Sequence, residues 1–214
     1  MRLVVIGGGE HARVVVEAAR SRPDLWEVSG FVDSKPKAQT ENLLQIPQLG
    51  GDAEGRALAA SDSLFILGLA AFESRDARLK LASLYDEAGV RWATIVHASA
   101  WISPAARLAE GIFVSAGAIV NSGARIERHA VVNTGVILEH DVSVESFAQI
   151  ASASAIGGGA RLGRNVYVGL GARVRDHVSI GEGAVVGMGA VVVGAVPEGR
   201  TVVGNPAREL EGRR

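Results

Sequence analysis

"VNTGVILEHDVSVESFAQ", residues 132–149, divides into three hexads, VNTGVI, LEHDVS and VESFAQ, each led by an aliphatic residue. The same frame runs from Ile102 to Val192 as sixteen consecutive hexads with Ile, Leu or Val in first position and no insertion. The fifth position is Ala, Ser or Val in every hexad but the second, which has Ile112. The fourth is Gly in eight of them, with His129, Asp141, Asn165 and His177 among the rest. Those residue types tolerate positive φ. The pattern predicts a prism. Lead residues point inward from short strands, a permissive residue turns each corner, and three hexads close one coil. Coils stack at the inter-strand spacing, about 4.8 Å, around a dry aliphatic interior that leaves no pairing edge along the stack. The spacing alone leaves the handedness open.

The residues before this prism follow another pattern. "LVVIGGG" is a buried apolar run ending in glycines, residues 11–20 have helical spacing, and "VSGFVD" reads as a second strand ending in an acid. A loop with Pro36 and Pro47 leads to a third buried strand, "SLFILGLA". "RDARLKLASLYDEAG" is an amphipathic helix with a glycine stop, and "RWATIV" a short strand. This alternation predicts a small parallel sheet covered by helices. The expected organisation is an α/β Rossmann-like domain over 1–95, an all-β parallel β-helix over 96–205, and a polar tail over 206–214.

The chain of 214 residues carries a net charge of −1 and no long run of like charge, which argues against a grip on nucleic acid. It has no Cys, so disulfides, thiolate metal sites and a cysteine nucleophile are excluded. The apolar stretch at "MRLVVI" is too short for a signal segment or a membrane span, and a soluble cytoplasmic protein is expected.

Two places carry chemistry. "GGGEHA" at 7–12 fits G-x-G-x-x-A after a strand, and Asp33 follows Gly9 by 24 residues at the end of the second strand. Glycines there let backbone N–H groups approach a diphosphate, and the acid binds a ribose. A strand–helix turn that needs glycines only for packing has the same sequence. The second place is Glu139-His140-Asp141. Asp141 fills the turn slot, which a carboxylate occupies cheaply. Glu139 sits where Glu127 and Glu145 sit in neighbouring hexads and reads as a solvated side chain. His140 is in third position, above Ser122 and below Gly158, a slot with little side-chain bulk. A histidine there suits a general base, with the adjacent carboxylate orienting the ring. Backbone N–H groups of "IGGGARLG", with Gly158 best placed, suit an oxyanion. Asn133, one hexad earlier, is a candidate substrate contact. His129 and His177 read as turn residues and His97 as structural.

"VIGGGEHARVVVE", "FVDS", "LGLA" at 67–70, "IVHASAWISPAARLAEG", "NTGVILEHD" and "VVGNPAREL" together resemble the hexapeptide-repeat acyltransferases. The resemblance is narrower to the bacterial N-acetyltransferases of nucleotide-linked amino sugars in bacillosamine and perosamine biosynthesis, and the sialic-acid O-acetyltransferases share the layout. It implies a left-handed β-helix, a homotrimer, and acetyl-CoA in the groove between neighbouring helices. It also implies a nucleotide-sugar in the first domain, with substrate contacts at Gly9, Glu10, His11, Asp33, Ser34 and Gly68. His140 is then the catalytic base and Asp141 its helper, where the family usually has Glu. Nine residues after His140, relatives carry a second His near the thioester; this chain has Gln149, which donates a hydrogen bond but carries no charge. The reaction expected is acetylation of an amino group, at C4, of a nucleotide-linked deoxyamino sugar, without a metal; O-acetylation of a sialic acid is the alternative.

Other classes meet physical obstacles. A zinc hydratase on this fold needs three His ligands near 2.0–2.1 Å from the metal. His140 and His177 share a corner but lie 37 residues apart, about 10 Å of stack. A non-catalytic nucleotide-sugar-binding trimer leaves His140 without a purpose. A dehydrogenase needs more than the ~95 residues available for a two-mononucleotide fold.

Overall fold

A computed structural model describes residues 1–35 and 45–210; Pro36, assigned above to a loop, lies outside them. The chain divides into two units, Met1–Ala98 and Ser99–Arg214. In the first, strands β1 (Arg2–Ile6), β2 (Glu27–Val32), β3 (Leu64–Leu67) and β4 (Arg91–Trp92) form a parallel sheet in the order β2-β1-β3-β4. Leu3–Ile6 are all buried, as expected of a central strand covered on both faces. Helix α1 (Glu10–Arg20) sets its buried Ala12, Val15, Val16 and Ala19 against β1 and β2. Helices α2 (Asp52–Ala57) and α3 (Arg75–Glu87) follow, and Gly89 at φ +76° ends α3 in the left-handed conformation glycine allows.

Two elements differ from the sequence expectation. Helix α2 lies in a stretch read as loop. It is too short to show a period, and it is held by the Gly51 N–H donating to Glu54 (2.8 Å) and by Tyr85, whose hydroxyl leaves no room for a side chain on Gly55. "RWATIV" is two strands. Arg91–Trp92 joins β3, with Trp92 Nε1 donating to Asp86 (2.7 Å), and Ile95–Val96 forms a separate strand β5. Residues 47–50 run beside β2, exchanging hydrogen bonds with Phe31 and Asp33, which brings the start of α2 to the C-terminal end of β2.

The second unit is a three-sided parallel β-helix. Every sixth residue from Trp101–Ile102 to Val191–Val192 opens a two-residue strand, and up to Val174↔Val192 strands pair with the one eighteen residues on, as in Ile119↔Ile137↔Ala155. Lead residues such as Val120, Leu138 and Ile156 are fully buried, each contributing about 1.5–3 kcal/mol on transfer from water. All eight fourth-position glycines have positive φ, and so do His129, Asp141, Phe147, Ala153, Asn165 and His177, at 55° to 64°. Phe147 and Ala153 are poor left-handed residues, so the coil imposes the conformation on them. After the last hexad, Thr201–Val203 continues one sheet and pairs antiparallel with Arg208–Glu209, inside the stretch read as polar tail. Among the described residues no helix is long and apolar enough to cross a membrane.

Candidate active site

A cavity of about 620 Å³ opens at the C-terminal edge of the sheet in the first unit, the place where open α/β sheets take ligands. Gly9, Glu10, His11, Asp33, Ser34 and Gly68 all line it. The two glycines serve different needs. A Cβ on Gly9 would meet nothing within 4 Å, so its absence leaves room in the cavity. A Cβ on Gly68 would come within 2.6 Å of Val5 and 2.9 Å of Ala12, a packing requirement. Asp33 braces the turn: Oδ2 accepts the Gly8 N–H (2.6 Å) and Oδ1 the Lys35 N–H (2.8 Å). Each oxygen keeps a lone pair for a further donor. Glu10 is exposed at the first turn of α1. Lys35, Asp52, Ser74 and Lys80 also line the cavity and were not singled out from sequence. Asp52 was hidden with the short helix that carries it.

His11 is neutral at the turn. Burial first, and the Arg78 guanidinium second, lower its pKa to about 4. Arg78 is itself buried, donates to the Leu69 carbonyl, and is brought down to about 10 by burial. The unfolded chain takes up this proton near pH 6.5 and the folded one near 4. Stability is therefore present above pH 6.5 and falls as the pH drops from 6.5 to 4, by at most about 3 kcal/mol. Denaturant titration of wild type and His11→Gln across that window checks this: the stability difference between them should shift by about 2–3 kcal/mol in favour of the variant at low pH. A difference independent of pH would refute it.

In the second unit, His140, Asp141 and Gly158 are brought together. The His140 side chain is 62% exposed, and its Nδ1 lies 3.0 Å from Asp141 Oδ2. Its Nε2 and Cε1 would stand 2.5 and 2.7 Å from a Cβ on Gly158, so the imidazole occupies the space left open in the coil above. No carbonyl among the described residues accepts the Gly158 N–H. Asp141 takes φ 59° and its Oδ1 overlies Gly123. Asn133 stands at the preceding corner, where its Oδ1 accepts the Thr134 N–H (2.9 Å). Gln149 lies in a strand beside inward-facing Ile150 and so points to the outer face, yet it is buried. Neither of its amide atoms has a hydrogen-bond partner among the described residues, an arrangement that costs about 1–3 kcal/mol when nothing pairs with it. His129 and His177 occupy left-handed turn positions. Among the described residues no group of three His, Cys, Asp or Glu is placed to hold a metal ion.

An imidazole tethered at one nitrogen, beside a free backbone N–H, can take a proton and stabilise an oxyanion. Residues 2–80 match the PglD N-terminal domain family. Among curated proteins no sequence match is found. A variant of perosamine N-acetyltransferase from Caulobacter crescentus, in complex with CoA and GDP-perosamine, is 32% identical with TM-score 0.91, over 99% of this chain and 98% of that one. The acetyltransferase domain of PglB from Neisseria gonorrhoeae, in complex with acetyl coenzyme A, is 28% identical with TM-score 0.90, over 98% of each chain. WeeI from Acinetobacter baumannii is 25% identical with TM-score 0.87, over 98% of this chain and 100% of that one. These likenesses also supply the hand of the helix that the hexads left open. With a PglD-type N-terminal domain, a left-handed hexapeptide β-helix and whole-length agreement with these enzymes, the chain belongs to the nucleotide-sugar N-acetyltransferase family of acyltransferases.

Proposed function

We propose that the chain transfers an acetyl group from acetyl-CoA to the C4 amino group of a nucleotide-linked deoxyamino sugar, with His140 as general base. The observation that carries this is the placement of His140: one ring nitrogen on Asp141, the other under Gly158. With Nδ1–H donated to Asp141, Nε2 holds the lone pair. The neutral amine attacks the thioester carbonyl carbon, the C=O electrons move onto oxygen, and the ammonium proton passes to Nε2. Collapse of the tetrahedral intermediate breaks the C–S bond. The thiolate takes the proton back from the imidazolium, leaving the amide, free CoA and a neutral His140. Asp141 is a positioning residue that stabilises the imidazolium. The Gly158 N–H faces the oxyanion. Gln149, buried with an unpaired amide, offers its N–H to the acetyl carbonyl.

The cavity of the first unit holds the nucleotide diphosphate, with Gly9 and His11 at the phosphates, Asp33 at the ribose, and Glu10, Ser34 and Gly68 as further contacts. Asn133 contacts the sugar. A homotrimer completes the reading, supported by an outer sheet face on which Trp101 and Ile119 are exposed in register. Incubating the protein with acetyl-CoA and a panel of nucleotide-linked amino sugars, while following thiol release and product mass, tests the assignment. Stoichiometric release with one amino sugar, and none with its hydroxyl counterpart, is expected. Acetylation of sialic acid alone would overturn it in favour of O-acetyl transfer.

A further inference from the structure

The nucleotide cavity differs at its two ends. Strand β1 and its glycine turn lie between β2 and β3, so residues following β2 line one end and residues following β3 the other. A diphosphate over the turn leaves the ribose beside the acid that ends β2, Asp33. The nucleobase then reaches Asp52, which lines the cavity at the start of α2.

Asp52 is held for such a role. Residues 47–50 are hydrogen-bonded along β2, and the Glu54 carboxylate pins the backbone at Gly51. The Tyr85 hydroxyl donates to Asp52 Oδ1 (3.3 Å), and burial, then the Asp52 charge, keeps that phenol protonated as a donor. Oδ2 accepts no hydrogen bond among the described residues, whereas both oxygens of Asp33 already receive a backbone N–H.

Within the nucleotide-sugar reading above, on which this rests, the geometry points to Asp52 as the reader of the nucleobase and to guanine as the base it selects. An ionised carboxylate only accepts hydrogen bonds. Guanine offers it two adjacent donors, N1–H and the N2 amino group. Uracil and thymine offer one N–H flanked by two carbonyl oxygens, which the carboxylate repels. Cytosine offers one amino group next to an acceptor nitrogen.

Calorimetric titration of the full chain with GDP, IDP and UDP tests this. GDP should bind about tenfold or more tighter than UDP, the discrimination expected of a bidentate base contact. IDP, which keeps N1–H but lacks the N2 amino group, should bind about tenfold weaker than GDP. Asp52→Asn should weaken GDP about tenfold and collapse the preference over UDP. UDP binding as tight as GDP, IDP as tight as GDP, or Asp52→Asn weakening both diphosphates equally would overturn the guanine assignment alone. Failure of all three nucleotides to bind wild type would overturn it together with the nucleotide-sugar reading. The IDP comparison needs no variant and stands if Asp52→Asn does not fold.

Discussion

His140→Asn should lower kcat for acetyl transfer by about 10²–10⁴-fold at neutral pH, the range that a positioned general base supplies. Asn is the informative replacement because its amide can still reach Asp141, while nothing is left under Gly158 to accept a proton. KM for the nucleotide-sugar should stay within about threefold, because a group acting only as the amine loses its proton contributes to the transition state rather than to ground-state binding. The side chain is 62% exposed, so stability should change by no more than about 0.5 kcal/mol. Steady-state thiol release, with a thermal melt of the same preparation, separates these effects. Unchanged kcat in a folded variant would remove His140 from the mechanism.

The β-helix was legible because its contacts are fixed by counting. Residue n lies against residue n + 18, so the sequence alone puts Gly158 over His140 and Gly123 under Asp141. The turn slots were legible for Gly, Asn, Asp and His, which favour positive φ, and less so for Phe147 and Ala153, which adopt it only because the stacked coils on either side demand it. The first unit was less open to such reading. Its sheet and two longer helices show in the periodicity, but the neutral state of His11 comes first from its burial and then from Arg78, sixty-seven residues away, and neither the burial nor that neighbour is reported by a local pattern. Asp52 was missed for the same reason: helix α2 exists through Tyr85 and Glu54, not through a repeat of apolar residues. Gln149 was located by likeness, but its burial was not foreseen, since its place in the hexad points outward.

Adjacent glycines at one corner should separate stability from catalysis. A Cβ at Gly157 would overlap the Asp176 backbone nitrogen and lie 2.9 Å from the Arg175 carbonyl carbon and the Asp176 Cα. Those atoms belong to the next coil, and Gly157 is itself tied to that coil by an N–H bond to the Val174 carbonyl (2.8 Å), so neither side can yield. Gly157→Ala should therefore destabilise the protein by about 1–3 kcal/mol, as overpacking does. A Cβ at Gly158 meets only the far end of the His140 side chain, which can swing aside into solvent. Gly158→Ala should leave stability within about 0.5 kcal/mol of wild type. Its kcat should fall about 10²-fold, the effect of a reacting group displaced by about 1 Å. Thermal melts and acetyl-transfer rates of the two variants, measured in parallel, should therefore cross: Gly157→Ala losing melting temperature with activity per folded molecule retained, Gly158→Ala the reverse. Full activity in Gly158→Ala would mean that acetyl transfer does not need the imidazole in the space under Gly158, and the base assignment would fall, while the backbone N–H that alanine keeps would still be there for the oxyanion.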